Sequence, residues 1–175
     1  MSIFESCKAV NALRRTGYSQ ADEMAVLVSK GRIPDATTGD VIVSRDLRSW
    51  TVAYLRSFYG DSALLDVVGK LVTSLSKSGK VTLLESRAGG GTAGVAALFR
   101  TPGVAGVYCV GTVPEHRREG VATGLIARAR EISESEGRTM ILQTLVSDMV
   151  LGFYLKRGFE KLYSKLLLEK SSNGR

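Results

Sequence analysis

Apolar residues recur along the chain in two different periods, and the change between them separates helices from strands. A spacing of three to four residues predicts helices between residues 46 and 60, 61 and 79, and 121 and 137, and over 149–157. Apolar or alternating runs predict strands over 40–45, 81–86, 92–100, 104–112, 139–146 and 159–169. This order predicts an α/β (α+β) fold with a mixed, mostly antiparallel central sheet flanked by helices.

The three middle strands are joined by glycine-rich turns. One joint, "GGGTAG" (Gly89–Gly94), satisfies the G-x-G-x-x-G spacing of a dinucleotide-binding loop. That fingerprint needs a following helix, whose N-terminus holds the pyrophosphate, whereas "VAALFR" has a strand pattern. We therefore predict a hairpin turn. The run over 104–112 is apolar almost throughout, which predicts a central strand buried on both faces.

The residues that open the third helix, "TVPEHRREGVATGLI" (112–126), combine charge, glycine and small side chains. The first turn of a helix has four N–H groups without intrahelical partners and a partial positive charge, so a diphosphate fits there. Gly120 removes one side chain, Ala122 keeps another small, and Arg117 and Arg118 add positive charge. From the residues alone, an anion site over Arg117–Thr123 and a basic loop that only caps a helix are equally good interpretations.

The order of elements and two motifs separate these interpretations. Arg117-Arg118-Glu119-Gly120-Val121-Ala122 resembles the acyl-CoA-binding motif Q/R-x-x-G-x-G/A of the GCN5-related N-acetyltransferase (GNAT) family. "SDMVLGFYLKRGF" (147–159) is similar to the family's tyrosine-bearing helix followed by Gly-Phe. The resemblance covers roughly residues 40–170. It implies the acyl-CoA N-acyltransferase fold and an enzyme that transfers an acetyl group from acetyl-CoA to a primary amine by direct attack.

The resemblance also implies roles for individual residues. Tyr154 aligns with the general acid that protonates the leaving thiolate. An N–H near Val110 would polarise the thioester carbonyl. The implied cofactor-binding residues are Val110, Gly111 and Thr112 along the pantetheine arm, Arg117, Arg118, Glu119, Gly120, Val121, Ala122 and Thr123 around the pyrophosphate, and Ser147 near the pantetheine.

No residue is assigned as the general base, although family members often place a Glu on the fourth or fifth strand. Here the fourth has no carboxylate and the fifth offers only Gln143. Glu115 lies too near the expected phosphates, and His116 is interpreted as a loop residue beside the cofactor. Cys109 is interpreted as a packing residue. No metal is expected, because the two cysteines lack metal-ligand spacing.

The acceptor is not identified. The first helix carries the aromatic residues Trp50, Tyr54 and Phe58 at a spacing more typical of core than of pocket. Small amines, amino acids, aminoglycoside-like antibiotics and protein N-termini all stay open as acceptors.

The N-terminal residues contain an internal similarity. "AVNALRRTGYSQADEMAVLVSK" (9–30) aligns with the chain from Val150, so that Gly17-Tyr18 falls on Gly158-Phe159. We predict that residues 1–39 are an extension resembling the tail of a degenerate acetyltransferase half, 40–170 the acetyltransferase domain, and 171–175 a disordered tail. A strand over about 23–29 would then extend the sheet. Chance similarity is an equally good explanation.

Composition and charge bound the alternatives. The 175 residues are 44% hydrophobic and 23% charged, which is typical of a soluble globular protein. No run of 18 apolar residues and no secretory signal pattern occurs, so we expect a cytoplasmic protein without a membrane partner, monomeric or homodimeric. The net charge of +7 comes from scattered pairs such as Arg117–Arg118. A basic nucleic-acid-binding domain and a non-catalytic acyl-CoA sensor or scaffold are the alternative functions.

Overall fold

The computed structural model describes residues 3–31, 33, 41–60 and 63–170, with the backbone alone for residues 3–7. Its helices are α1 (Ile3–Arg15), α2 (Leu47–Phe58), α3 (Leu65–Lys77), α4 (Val121–Ser135) and α5 (Leu151–Leu155), with a 3₁₀ turn at Pro114–His116. Its strands are β1 (Tyr18–Ser29), β2 (Val41–Val43), β3 (Val81–Ala88), β4 (Gly91–Thr101), β5 (Val104–Thr112), β6 (Thr139–Leu145) and β7 (Phe159–Lys170).

One seven-stranded sheet carries the fold, in the order β2-β3-β4-β5-β6-β1-β7. Every neighbouring pair is antiparallel except β5 and β6, which run parallel. Side chains alternate between the two faces of the sheet. Leu83 and Val95 pack with α2 and α3 on one face, and Leu84 and Ala96 pack with α4 on the other. The predicted fold class is confirmed.

Short polar residues and glycines set the ends of the helices. The Asp46 carboxylate accepts from the Ser49 N–H at 3.0 Å and caps α2. Residues 61–62, between α2 and α3, lie outside the described residues, as does the predicted disordered tail at 171–175. Gly89 and Gly90 have positive φ in the turn between β3 and β4, so the glycine-rich run is the predicted hairpin.

The N-terminal strand β1 lies inside the sheet, between β6 and β7. Its register pairs Met24 with Leu145 on one side and Tyr18 with Lys170 on the other. Residues 25–28 are at most 4% exposed, and Ala25 and Leu27 belong to the hydrophobic core. A strand here was expected over about 23–29, and the observed strand begins five residues earlier. The descent of residues 1–39 from a preceding acetyltransferase half stays a prediction.

Strand β5 is central, but it is not buried on both faces along its whole length as we expected. Val107 is buried, whereas 41% of the Tyr108 side chain is exposed. The reason is that β5 and β6 pair only as far as Val107 with Leu142, so the sheet opens at Tyr108. Among the described residues, no helix is long and apolar enough to cross a bilayer.

Candidate functional site

A bulge and an opening in the sheet lie together in β5. Ala97 pairs with Tyr108 and Val95 with Gly111, so Cys109 and Val110 oppose the single residue Ala96. Cys109 has a φ of 54°, in the left-handed region. A bulge leaves backbone groups outside the ladder and redirects side chains. Because the pairing with β6 has already ended, the edge of β5 beyond the bulge faces a gap between two parallel strands.

The start of α4 presents its first N–H groups toward open space. Gly120 precedes the helix with a φ of 83°, and the first α-helical bond runs from the Gly124 N–H to the Gly120 carbonyl at 2.9 Å. The N–H groups of Val121 to Thr123 therefore have no intrahelical partner. A Cβ placed on Gly120 would meet no atom within 4 Å. The space beside Gly120 is thus open, and the anion site at this turn stays a prediction.

The charged residues predicted before α4 differ in their contacts and exposure. Arg117 donates to the Ser57 carbonyl at 3.3 Å, which ties the loop to the end of α2. Arg118 is exposed with a φ of 71°. Glu119 is exposed, and its carboxylate lies 2.8 Å from Nδ1 of His116. His116 ends the 3₁₀ turn before α4, and its place beside the cofactor stays a prediction.

Arg157 contributes a positive charge that the motif comparison did not select. Its Nε donates to the Thr123 hydroxyl at 2.8 Å, and its Nη1 donates to the Phe153 carbonyl at 2.9 Å. The guanidinium also lies 3.6 Å from the centre of the Phe153 ring. Burial lowers the pKa of Arg157, yet an arginine stays charged at neutral pH. The basic pair Lys156–Arg157 was the sequence signal available for it.

A close approach between β4, β5 and α4 holds the helix start in place. A Cβ on Gly94 would lie 2.7 Å from the Gly111 carbonyl oxygen and would also collide with Val121. Gly94 is the last glycine of the "GGGTAG" run, so its role here is the packing of a helix against a strand. The same contact joins the gap edge at Gly111 to the first residue of α4.

We expect Gly94→Ala to destabilise the protein by about 1–3 kcal/mol, since the added methyl overpacks a backbone contact that cannot move freely. Thermal unfolding monitored by circular dichroism would measure the loss. Gly91→Ala is the matched control, because Gly91 begins the same strand and a Cβ there meets nothing within 4 Å. Equal melting temperatures for the two variants would contradict the close packing of Gly94.

A cleft of about 420 Å³ passes through the gap between β5 and β6. The Val110 backbone region and Tyr154 line it together. The remaining lining residues are Tyr54, Phe58, Val107, Tyr108, Cys109, Leu142, Gln143, Thr144, Asp148 and Val150. The expectation that Phe58 belongs to the core is wrong, because 49% of its side chain is exposed at this cleft, whereas Trp50 is buried.

Tyr154 is held at the cleft by packing. Its ring meets Phe153 at 5.2 Å and Phe159 at 5.8 Å between centroids, both edge-on. Burial raises the pKa of the Tyr154 hydroxyl, and the negative charge of Asp148 adds to the rise. This hydroxyl therefore stays protonated at neutral pH and is able to donate a proton.

Other residues considered for the site in the sequence analysis form hydrogen bonds or ion pairs within the protein or are buried. The Ser147 hydroxyl donates to the Asp22 carboxylate on β1, and this bond lowers the pKa of Asp22. Glu115 forms an ion pair with Arg56. Cys109 lines the cleft, and burial raises the pKa of its thiol, which disfavours a thiolate nucleophile. Among the described residues, no group of three potential metal ligands occurs.

Comparison with known proteins agrees with this geometry. Residues 77–161, which include the gap, the start of α4 and Tyr154, match the family described as "Acetyltransferase (GNAT) domain". No curated protein matches the chain by sequence.

Solved structures share the fold at low identity. A GCN5-related N-acetyltransferase from Sphaerobacter thermophilus is 16% identical with a TM-score of 0.72, over 91% of this chain and 55% of that one. A GNAT-family acetyltransferase from Colwellia psychrerythraea is 11% identical with a TM-score of 0.73, over 91% and 60%. An acetyltransferase from Trypanosoma brucei is 23% identical with a TM-score of 0.59, over 74% and 97%. The chain thus spans little more than half the length of the first two.

The fold is therefore that of the GNAT acetyltransferases. Residues 77–161 match the GNAT acetyltransferase domain, and the resemblance found in the sequence is confirmed.

Proposed function

We propose that the protein is an N-acetyltransferase that uses acetyl-CoA and a primary amine. The observation that carries this proposal is the cleft that Val110, in the β5 bulge, and Tyr154 line together. A gap between two parallel strands offers free backbone groups to an extended ligand. Tyr154, the proposed proton donor, lines the same cleft.

The proposed cofactor site follows the edge of β5 into α4. The backbone of Arg118 to Thr123 would bind the pyrophosphate through the open first turn of the helix, with Arg117 and Glu119 at its rim. Arg157 would add charge from behind Thr123. Val110, Gly111 and Thr112 would pair with the pantetheine arm. Ser147 would contact it through its backbone, because its hydroxyl is bound to Asp22.

The reaction needs few groups. The neutral amine nitrogen attacks the thioester carbonyl carbon, and the bond from that carbon to sulfur breaks. The N–H of Val110 would donate to the carbonyl oxygen as negative charge develops on it. The Tyr154 hydroxyl would give its proton to the leaving sulfur, and the proton that the nitrogen releases would restore the tyrosine through solvent.

Gly120→Glu is expected to weaken acetyl-CoA binding at least about 100-fold. The new side chain would enter the space proposed for the pyrophosphate and place negative charge against it, with the loss of several charge-assisted hydrogen bonds. Calorimetric titration of the purified protein measures the affinity. Gly137→Glu is the matched control, because Gly137 lies at the other end of α4 with a φ of 66° and open space around it.

The Gly137→Glu control distinguishes loss of the proposed pyrophosphate site from a general effect of backbone strain. A left-handed φ costs either glutamate variant about 1–2 kcal/mol of stability, so both should melt earlier by a similar amount. Only Gly120→Glu should lose acetyl-CoA. Equal affinities for the two variants would contradict a pyrophosphate at the start of α4.

Two alternatives predict different measurements. A non-catalytic acyl-CoA sensor or scaffold would bind acetyl-CoA with the same dependence on Gly120 and release no free CoA with any amine. A nucleic-acid-binding domain would bind duplex or single strands with a steep salt dependence. We propose a cytoplasmic enzyme, monomeric or homodimeric. The enzyme is favoured over a sensor because Tyr154, whose hydroxyl is protonated at neutral pH, lines the cleft.

A further inference from the structure

The cleft opens toward α2 with a wall of aromatic rings. A Cβ on Gly106 would lie 2.6 Å from the Tyr108 ring, so this ring lies flat along β5 on the side opposite Val107. Tyr54 and Phe58 face it from α2 with 5.1 Å between their centroids. Because Phe58 is 49% and Tyr108 41% exposed, both present open apolar surface beside the reaction gap.

The aromatic wall is packed against the core through Tyr54. Tyr54 stacks on the buried Trp50 ring at 5.7 Å, nearly parallel. Burial and a hydrogen bond with Tyr59 raise the pKa of Tyr54, so this part of the wall is uncharged at neutral pH. Preformed aromatic surfaces favour flat, apolar bodies, and their faces attract a cation.

Charge at the cleft comes from two residues of opposite sign. Asp148 is the carboxylate among the residues that line it, in the turn just before α5 and near enough to Tyr154 to raise its pKa. The Lys165 ammonium on β7 lies outside this lining, but it donates to the side-chain carbonyl of the lining residue Gln143 at 3.2 Å. One ammonium can pair with Asp148, whereas a second one placed toward Gln143 would be repelled by Lys165.

We infer that the acceptor is a small amine with one positive charge and an apolar or aromatic body. Its ammonium binds Asp148 and loses one proton to solvent before the neutral nitrogen attacks, and its body lies on Tyr108 and Phe58. This inference rests on the proposed function and narrows it, since polyamines and other acceptors with several charges are disfavoured. Asp148 acts as a binding residue for the acceptor, and Tyr154 keeps its proposed role as acid.

Phenethylamine, ethanolamine and spermidine are the probes, because they differ in ring and in charge number. Initial rates at saturating acetyl-CoA should give a kcat/KM for phenethylamine at least about tenfold above that for each of the other two. Asp148→Asn should raise the KM for phenethylamine about tenfold, because one charge-assisted hydrogen bond is lost. Asp148→Glu should keep the KM closer to that of the unaltered protein. The affinity for acetyl-CoA should stay within about twofold in both variants.

Two further variants accompany the Asp148 variants: one tests the aromatic wall and the other is a control. Tyr108→Ala should raise the KM for phenethylamine and leave that for ethanolamine unchanged, because only the former reaches the ring. Glu169→Gln removes a carboxylate at the far end of β7 and should change neither KM. A KM effect without a change in acetyl-CoA affinity would not arise from general loss of structure.

Three results would overturn the inference while leaving the cofactor site standing. They are a preference for spermidine, equal kcat/KM for ethanolamine and phenethylamine, and an unchanged KM in Asp148→Asn. Acetyl-CoA binding without acetylation of any of the three amines would also overturn it. Absence of acetyl-CoA binding by the unaltered protein would overturn the proposed function itself, so the two failures are distinguishable.

Discussion

A chain that lacks residues 1–31 is expected to lose its cooperative unfolding transition. Strand β1 pairs with β6 along one edge and with β7 along its whole length on the other, so its loss leaves β7 without a partner and β6 paired with β5 alone. Each buried polar group left unpaired costs about 1–3 kcal/mol. A few such losses, added to the buried apolar surface of residues 25–28, exceed the roughly 5–15 kcal/mol that holds a domain folded. Calorimetry and circular dichroism would measure the effect.

A shorter deletion is the control for this one. Residues 1–16 contain α1, whose described side chains are exposed except for the half-buried Val10, so their removal should leave the melting temperature nearly unchanged. The point variants Leu27→Ala and Leu13→Ala repeat the contrast, because Leu27 is fully buried and Leu13 is 40% exposed. The first should lose about 2–5 kcal/mol. A chain without residues 1–31 that melts like the full protein would contradict the place of β1 in the sheet.

Tyr154→Phe is expected to lower kcat by about 100-fold or more, the usual contribution of a positioned proton donor. The phenyl ring keeps the contacts with Phe153 and Phe159, so acetyl-CoA affinity and melting temperature should not change. Steady-state rates at saturating acetyl-CoA, with the amine that the unaltered protein acetylates fastest, measure kcat. Tyr163→Phe on the exposed part of β7 is the matched control and should have the kcat of the unaltered protein.

The pH dependence of kcat is a second test of the role of Tyr154. A general acid works while it is protonated, and its contribution is lost as pH rises through its pKa. Burial and Asp148 both raise the pKa of Tyr154, so kcat should not fall on this account between pH 7 and about 10. A decline centred near pH 7 to 8, or an unchanged kcat in Tyr154→Phe, would make Tyr154 a packing residue only.

The sequence predicted where the helices and strands lie along the chain better than it predicted which strands are neighbours in the sheet. Local periodicity and glycine placement located β3 to β7 and α4, because these signals lie within one element. The position of β1 between β6 and β7 depends on contacts across most of the chain, and the internal similarity at residues 9–30 was its only trace. The exposure of Tyr108 was missed for a similar reason, since it depends on where the pairing with β6 ends.

At the candidate site, the sequence motif predicted backbone features better than side-chain contacts. Gly120 was predictable because a left-handed turn before a helix demands glycine. The bulge at Cys109 and Val110 leaves no such mark in the residues themselves. Asp148 and Arg157 were missed, as their placement depends on the turn before α5 and on the docking of α5 beside α4.

The pairing of β1 with β6 and β7 also bears on how the chain folds as it is made. Residues 24–28, an apolar strand segment, leave the ribosome long before the strands that will cover them. At roughly 5–20 residues per second, this segment waits several seconds for β6 and longer for β7. During that time it is an unpaired apolar strand, which is the kind of segment that chaperones bind and that aggregates at high expression. We therefore expect the yield of folded protein to depend on how this segment is protected during synthesis, as well as on the final stability.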